Sequence, residues 1–222
     1  MADLAPRRFR LIVFDWDGTL ADSTAPIAAA IRAACAAVGR PMPSERDARY
    51  VIGLGLADAL AHVAPGLTAD ETRELAAHYR RHYLDREPTI PLFEGVSQLL
   101  ADLDDGGFLL GVATGKTRAG LDRAIAKNGL AGRFHATRCA DEGFPKPHPD
   151  MLLALMDRLG AEPRDTLMIG DTTHDLQMAR NAGVDCLAVT YGAHPPAALG
   201  AFDPRACLHK VSEVASWLRA NA

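Results

Sequence analysis

The sequence lacks the features that mark disulfide-bonded, zinc-finger and membrane proteins. Its four cysteines are far apart and form no C-x-x-C pair, which favours free thiols in a reducing compartment over a disulfide framework or a zinc site. The apolar run behind the N-terminal arginines, residues 11–14, is too short for a signal peptide or a membrane span. We therefore expect a cytoplasmic protein with no membrane partner.

Blocks of like charge are also absent. The chain has 28 acidic residues against 24 lysines and arginines, which gives a formal net charge of −4. A nucleic-acid-binding protein would show a basic patch or stripe, so we expect no nucleic-acid partner. Lysine itself is scarce, with four in the whole chain, so each lysine is a candidate for a specific role.

The composition that remains is that of an ordinary globular protein. Hydrophobic residues make up 48% and charged residues 23% of the 222 positions, which excludes disorder, collagen and coiled coil. A chain of this length can bury about 70% of its unfolded surface. It is long enough for one domain, or for one domain that carries an insertion.

Short apolar runs alternate with helical patterns along most of the chain, which predicts an α/β fold. Continuous apolar runs suit strands that are buried on both faces, so we expect a doubly wound, parallel, Rossmann-like sheet. The runs that we predict as strands are residues 11–14, 109–113, 134–138, 167–169 and 186–190.

Residues 21–88 break this alternation because they contain helical patterns only. Thr68 and Glu71 have the spacing of a capping box in front of the last of these helices. Residues 87–95 then show the proline and glycine punctuation of a linker. We therefore predict an α/β core made of residues 1–20 and 89–222, with residues 21–88 as an all-helical insertion after the first strand.

Polar residues follow three of the predicted strands directly: Asp15, Thr114 and Asp171. Each of them alone could be a helix cap. In an open parallel sheet, however, ligands bind at the carboxyl ends of the strands, where three such groups would converge. Their joint occurrence predicts a functional site at this edge of the sheet.

Two pairs of carboxylates lie at the same predicted edge. Asp15 and Asp17 are two positions apart, and Asp171 and Asp175 are four apart. Clustered carboxylates repel each other unless a cation lies between them, and oxygen ligands of this kind suit Mg²⁺. Lys146 is the one cation near a predicted strand end that has prolines on both sides, although a surface position is the simpler interpretation for a lysine in such a loop.

These segments resemble the four motifs of the haloacid dehalogenase-like hydrolase superfamily. Asp15-Trp-Asp-Gly-Thr-Leu20 resembles the first motif, and Thr114 in Val-Ala-Thr-Gly resembles the second. Lys146-Pro-His-Pro resembles the third, and Gly170-Asp171 through Asp175 the fourth. The motifs occur in the family order, and the string Ile52-Gly-Leu-Gly-Leu56 is similar to the helical cap of the phosphoglycolate phosphatase-like branch.

The resemblance implies a role for each motif residue. Asp15 would be the nucleophile, and Asp17 would protonate the leaving oxygen and then activate water. Thr114 and the backbone N–H of Gly115 would bind the transferring phosphoryl group, whose charge Lys146 would neutralise.

The resemblance also implies a magnesium site. Asp15, the carbonyl of Asp17, and Asp171 would hold Mg²⁺. Asp175 would orient either Lys146 or a metal-bound water. The implied cofactor is therefore Mg²⁺, held by the metal-site residues Asp15, Asp17, Asp171 and Asp175.

The resemblance implies a Mg²⁺-dependent phosphatase that hydrolyses a small phosphomonoester, such as phosphoglycolate, through an aspartyl-phosphate. Sugar-phosphate mutase, pyrophosphatase and nucleotidase activities of the same superfamily stay open. The acid at position 17 disfavours a dehalogenase, and the presence of Asp15, Asp17, Lys146 and Asp171 disfavours a non-catalytic relative. We expect a small phosphorylated metabolite as partner, and either a monomer or a homodimer.

Two further groups of residues have open interpretations. Residues 111–117 resemble a phosphate-binding P-loop, but Leu110 occupies the position where that loop needs glycine, which disfavours a nucleotide-binding site. Lys116 in this segment points either to the phosphate or to solvent. In the helical insertion, Arg46, Arg49 and Tyr50 are the polar candidates for substrate recognition, unless they lie on a solvated helix face.

Overall fold

Six parallel strands form one sheet in the computed structural model, which describes residues 8–222. The strands are β1 (Leu11–Phe14), β2 (Leu109–Thr114), β3 (Ala136–Cys139), β4 (Thr166–Gly170), β5 (Asp185–Val189) and β6 (Cys207–Leu208). Their order across the sheet is β3-β2-β1-β4-β5-β6. The predicted doubly wound parallel fold is thus confirmed, while residues 1–7 of the predicted core, with part of the arginine-containing N-terminus, lie outside the described residues.

The strand β1 lies at the centre of the sheet, between β2 and β4. Leu11 pairs with Leu109 on one side and with Thr166 on the other. Side chains alternate between the two faces of a strand, so Ile12 and Phe14 join one apolar core while Leu11 and Val13 join another. The order of the strands reverses at β1, and the carboxyl edge beside such a switch point is where ligands bind in open α/β sheets.

Helices cover the two faces of the sheet. In the described part of the chain they are α1 (Thr24–Ala37), α2 (Glu45–Tyr50), α3 (Leu56–Val63), α4 (Ala69–Leu84), α5 (Val96–Asp105), α6 (Arg118–Lys127), α7 (Asp150–Leu159), α8 (Thr173–Ala182), α9 (Pro196–Gly200) and α10 (Val211–Asn221), with short 3-10 helices at Glu87–Thr89 and Pro163–Asp165. Among these residues, no helix combines the length and the apolar character that crossing a bilayer requires.

The four helices α1 to α4 lie between β1 and β2 in the chain, and α1, α3 and α4 share a small apolar core. That core contains Ala34 and Cys35 of α1, Leu60 of α3 and Leu75 of α4, all of them buried. The division of the chain into an α/β core and a separate helical unit with bounds at residues 21 and 88 stays a prediction.

Both chain connections to these helices run side by side past the end of β1. Ala21 forms an antiparallel bridge with Leu92, and the N–H of Phe93 donates to the carbonyl of Leu20 at 3.0 Å. The N–H of Asp22 donates to Pro91 at 3.0 Å. The helical segment therefore leaves and rejoins the sheet at one place, next to the carboxyl edge.

The structure contains two helices and a strand that the sequence patterns did not predict: α2, α9 and β6. The helix α2 is short and mostly charged, so it shows no apolar periodicity. Ser44 caps its N-terminus, and the Ser44 hydroxyl accepts a hydrogen bond from Asp47 N at 3.1 Å. The strand β6 has two residues and α9 has five, too few for a pattern. The predicted capping box of α4 is present, since Glu71 Oε2 accepts from Thr68 N at 2.7 Å.

Candidate active site

Three polar side chains converge at the carboxyl edge of the central strands. Asp15 follows β1, Thr114 ends β2 and Asp171 follows β4, and all three are fully buried. The register explains their proximity, since Phe14 pairs with Val112 of β2 and with Ile169 of β4. The pairing of three adjacent parallel strands thus brings together residues that are far apart in the sequence.

An acidic cluster lies at this edge. Asp15, Asp171 and Asp175 each offer a carboxylate oxygen within 4.8 Å of the other two, and all three are buried. Burial raises the pKa of Asp15 well above its ordinary value, and Asp175 and Asp171 add to this effect while Lys146 opposes it. Burial, together with Asp175, raises the pKa of Asp171 to about 7. The cluster is therefore destabilised by its own charge.

Lys146 compensates part of that charge. Its Nζ lies 2.6 Å from Asp15 Oδ1 and 2.6 Å from Asp175 Oδ1, and the side chain is fully buried. Burial disfavours its charged form, but the two carboxylates outweigh burial and raise the pKa of the ammonium. One ammonium cannot balance three ionised carboxylates, so the site has an excess of negative charge whenever all three are ionised.

The residues at this edge fit a divalent cation. Asp15 Oδ2 is buried and has no hydrogen-bond partner among the described residues, and a buried carboxylate oxygen without a partner is costly. The nearby donors are carboxylate oxygens, the ligand type that Mg²⁺ prefers. A cation bound here would satisfy the unpaired oxygen and offset the remaining charge.

The segment after Asp15 is shaped to support Asp171. Gly18 has a φ of +87°, and a side chain at this position would collide with the Asp171 carboxylate. Glycine is suited to both requirements because it lacks a Cβ and adopts positive φ readily. Thr19 Oγ1 then donates to Asp171 Oδ1 at 2.8 Å, while Ala193 N donates to Oδ2 at 2.7 Å.

The carboxylate of Asp17 lies apart from the acidic cluster. It accepts hydrogen bonds from Ser23 Oγ at 2.7 Å and from Lys116 Nζ at 3.0 and 3.1 Å. The two aspartates of the first motif therefore have different cations, Lys146 for Asp15 and Lys116 for Asp17. The carbonyl of Asp17, rather than its carboxylate, was the group implied as a metal ligand.

Lys116 is the functional candidate that sequence reasoning left undecided. Its side chain is only 8% exposed, and its Nζ also donates to Tyr83 Oη of α4 at 2.8 Å. Burial is the largest single influence and disfavours the ammonium, but Asp17, Tyr83 and Tyr79 together outweigh it and raise the pKa of Lys116. The scarcity of lysine was a signal for this position, whereas the partners Ser23 and Tyr83 left no pattern in the sequence.

Thr114 and Gly115 lie where the helical segment meets the sheet. Thr114 Oγ1 accepts a hydrogen bond from Lys116 N at 3.2 Å, which leaves the hydroxyl proton available to donate. A Cβ at Gly115 would lie 2.5 Å from the carbonyl oxygen of Leu54 and 2.7 Å from that of Gly53. Only glycine allows this close approach, so the Ile52–Leu56 string acts as the contact surface above Gly115.

A second contact of the helical segment involves Tyr50. Its ring stacks on His194 with a centroid distance of 5.3 Å, and its carbonyl accepts from Nε2 of His174 at 2.8 Å and of His194 at 2.9 Å. Arg49 Nη1 donates to the carbonyl of Gly192 at 3.5 Å. These candidates for substrate recognition therefore join the helical segment to the core.

A cavity of about 320 Å³ lies next to Asp17 and Gly115. Its other walls come from α1, α3, α4 and the start of α6. Arg46, Arg49 and Tyr50 do not line it. The cavity is instead lined mainly by apolar side chains of the helical segment.

The site is a buried cluster of three carboxylates and one lysine at the switch point of a doubly wound α/β sheet. A family model described as haloacid dehalogenase-like hydrolase matches residues 12–189. The chain belongs to this family, and the resemblance to the haloacid dehalogenase-like hydrolase superfamily is confirmed.

Individual relatives agree with this assignment. A probable phosphatase, IndB, of Dickeya dadantii is 38% identical over 210 residues, which cover 92% of this chain and 91% of the relative. Phosphoglycolate phosphatase 1 of Pseudomonas aeruginosa is 33% identical over 198 residues, 85% of this chain and 72% of the relative. The crystal structure of a predicted phosphoglycolate phosphatase from Haemophilus somnus has a TM-score of 0.84 at 25% identity, covering 96% of this chain and 99% of that one. The prediction of a phosphoric monoester hydrolase is confirmed at the level of enzyme class.

The acidic cluster predicts that Mg²⁺ stabilises the fold in a pH-dependent manner. Because the pKa of Asp171 is raised, the folded protein holds a proton that the unfolded chain has lost, so metal-free stability falls as pH rises through about 7. We expect Mg²⁺ to raise the Tm more at pH 8 than at pH 6. Thermal unfolding in EDTA and in Mg²⁺ measures this difference.

The matched variant for this test is Asp171→Asn, which should flatten the pH dependence and reduce the Mg²⁺ effect. Burial lowers the pKa of His174 and His194, so these histidines make stability rise with pH, opposite to Asp171. Because both proteins contain the histidines, the difference in pH dependence between wild type and variant isolates the contribution of the Asp171 carboxyl group. An equal Mg²⁺ effect in both proteins would contradict a metal site at Asp171.

The buried pair of Lys116 and Asp17 predicts a coupled effect on stability. Lys116→Met leaves the Asp17 carboxylate without its cation, so we expect a loss of about 1–3 kcal/mol. The double variant Lys116→Met/Asp17→Asn should lose less than the sum of the single changes. Urea unfolding of the four proteins measures the coupling, and Lys210→Met, at an exposed lysine, is the control. Strict additivity would refute the pairing.

Proposed function

We propose that this protein is a Mg²⁺-dependent phosphatase that hydrolyses a small phosphomonoester through an aspartyl-phosphate on Asp15. Phosphoglycolate is the reference substrate because the descriptions of several relatives name it, while other relatives are described as N-acetylmuramic acid 6-phosphate phosphatases. The observation that carries the proposal is the environment of Asp15. It is buried at the end of β1 with Lys146 on one oxygen, and within residues 8–222 the other oxygen has no hydrogen-bond partner.

Asp15 acts as the nucleophile in this proposal. One of its oxygens attacks phosphorus, the bond to the leaving oxygen breaks, and the phosphoryl group is carried on the carboxylate. The Lys146 ammonium, 2.6 Å from Asp15 Oδ1, reduces the repulsion between the carboxylate and the incoming phosphate dianion. Asp175, at 2.6 Å from the same ammonium, keeps Lys146 in place.

Thr114 and Gly115 bind the transferring phosphoryl oxygens. The Thr114 hydroxyl and the Gly115 N–H lie at the end of the strand next to Asp15. Phosphoryl transfer depends mostly on positioning and on electrostatic stabilisation, so donors that are already ordered contribute without rearrangement. The burial of Thr114 supports this role.

Asp17 acts as the general acid and then as the general base. It protonates the leaving oxygen in the first step and removes a proton from the attacking water in the second. Its carboxylate borders the cavity, where a leaving group would lie. Ser23 and Lys116 hold the carboxylate in one orientation, which makes Lys116 a positioning residue.

Asp15 and Asp171, with the carbonyl of Asp17, would hold Mg²⁺. When bound, the ion supplies positive charge that allows the phosphate to approach a cluster of carboxylates. The unpaired Asp15 Oδ2 and the raised pKa of Asp171 support this assignment.

Residues 21–88 act as a cap in this proposal. Their two connections run together past the carboxyl edge, and Leu54 lies over Gly115. A cap that closes here excludes water and limits the size of the substrate.

Chelation tests the metal dependence. Excess EDTA should abolish the hydrolysis of p-nitrophenyl phosphate and of phosphoglycolate, and Mg²⁺ should restore it, since uncompensated carboxylates repel the phosphate. Asp171→Ala should require far more Mg²⁺ for half-maximal activity. Phosphate release measures the outcome. Undiminished turnover in excess chelator would rule out this mechanism.

Substitution of Asp15 and substitution of Asp17 should impair different steps of the reaction. Asp15→Asn removes the nucleophile and should eliminate both phosphoenzyme and turnover. Asp17→Asn removes the base that activates water, which typically costs about 10² to 10⁴ in rate. Because p-nitrophenolate leaves without help, this variant should give a burst of product followed by slow turnover.

Rapid-quench mass spectrometry of Asp17→Asn should find the phosphate on Asp15. The exposed neighbour Asp22 provides the control variant, Asp22→Asn, which should behave as wild type. Phosphate on His148 or His174, or on no residue while the wild type turns over, would show that Asp15 is not the nucleophile.

A further inference from the structure

We propose that the substrate carries an apolar organic group, an aromatic ring or a short branched hydrocarbon, in the cavity beside Asp17. This inference rests on the proposed function, in which the phosphate lies at Asp15 and the leaving oxygen at Asp17. It narrows the substrate class to a phosphomonoester with a hydrophobic leaving group.

The position of the cavity points to the leaving group. Its core side includes Asp17, Gly115 and Lys116, so it borders the groups that bind the phosphoryl oxygens and protonate the leaving oxygen. A phosphomonoester with its phosphate at Asp15 would extend its organic part into this space.

Most of the cavity wall is hydrocarbon. Helix α1 contributes Ile27 and Ile31, the segment before α3 contributes Val51 and Leu54, and α3 itself contributes Leu56. Moving an apolar ligand surface from water to such walls lowers the free energy and therefore favours binding. A hydroxyl or a carboxylate placed against them would lose its water without gaining a hydrogen bond.

The buried cation of the cavity is already paired. Lys116 Nζ is bound by Asp17 and by Tyr83 Oη. Arg123, which is exposed, donates from Nε to Glu87 Oε2 at 3.0 Å. Arg80 lines the cavity but is an exposed residue, where water weakens an ion pair. In the part of the chain that the structure describes, a carboxylate substrate such as phosphoglycolate therefore meets no unpaired, buried cation on these walls.

The volume limits the group to a small one. At about 320 Å³, the cavity is near the lower end of the usual range for ligand pockets, about 300 to 1,000 Å³. One ring or a short branched chain suits this space better than a nucleoside or a peptide.

A matched set of phosphomonoesters tests the inference in the wild-type enzyme: ethyl phosphate, phosphoglycolate, benzyl phosphate and glucose 6-phosphate. Phosphoglycolate adds a carboxylate to a short chain, benzyl phosphate adds a ring, and glucose 6-phosphate adds hydroxyls. We expect kcat/KM for benzyl phosphate to exceed that for ethyl phosphate by about 10- to 100-fold, from burial of the ring. Phosphoglycolate and glucose 6-phosphate should not exceed ethyl phosphate.

Ala59→Leu tests the site itself. Ala59 of α3 is buried and lines the cavity, so leucine fills the space without touching the groups assigned to phosphate chemistry. The ratio of kcat/KM for benzyl phosphate to that for ethyl phosphate should fall by about tenfold. Ala61→Leu, at an exposed position of the same helix, is the matched control and should keep the ratio.

A second variant covers the case in which Ala59→Leu fails to fold. Leu56→Thr makes one half-buried wall polar and should lower the same ratio. A wild-type preference for phosphoglycolate over benzyl phosphate, or a ratio that neither variant changes, overturns the inference alone. No Mg²⁺-dependent hydrolysis of any of the four esters overturns the proposed function and this inference with it.

Discussion

The ion pairs of Lys146 with Asp15 and Asp175 are the interaction on which the candidate site depends. Three buried carboxylates meet at the ends of β1 and β4, and one ammonium lies 2.6 Å from two of them. Removing one partner of a buried ion pair leaves an uncompensated charge. The four side chains therefore depend on one another, and with all three carboxylates ionised the negative charge exceeds the positive charge. In the proposed function, this imbalance favours the binding of a divalent cation together with the phosphate.

Two aspartates that are two positions apart in the sequence have separate environments. The Asp15 carboxylate joins the acidic cluster and Lys146, whereas the Asp17 carboxylate is held by Lys116 and Ser23 next to the cavity. The turn at Gly18 allows both placements. In the proposed mechanism, this separation lets one carboxylate attack phosphorus while the other transfers a proton.

The sequence predicted most of the fold, because strands buried on both faces leave continuous apolar runs, as in Leu11–Phe14. It also indicated Asp15, Thr114 and Asp171 as residues of the candidate site, since each directly follows or ends a strand. It did not predict α2, a short helix of mostly charged residues, nor the partners of Asp17. Ser23 and Tyr83 contact Asp17 and Lys116 through folding of the helical segment, and such contacts follow no spacing in the chain.

The polar side chains of the candidate site and the walls of the cavity come from different parts of the chain. Asp15, Thr114 and Asp171 are placed by the register of adjacent strands, which leaves little freedom for their positions. The cavity walls come mainly from the helical segment, whose side chains can change without disturbing the sheet. Substrate choice, in the proposed function, then depends on residues such as Ile31 and Leu56 rather than on the motif residues. That division explains why the motifs indicate a reaction class while the apolar walls of the cavity carry the information about the leaving group.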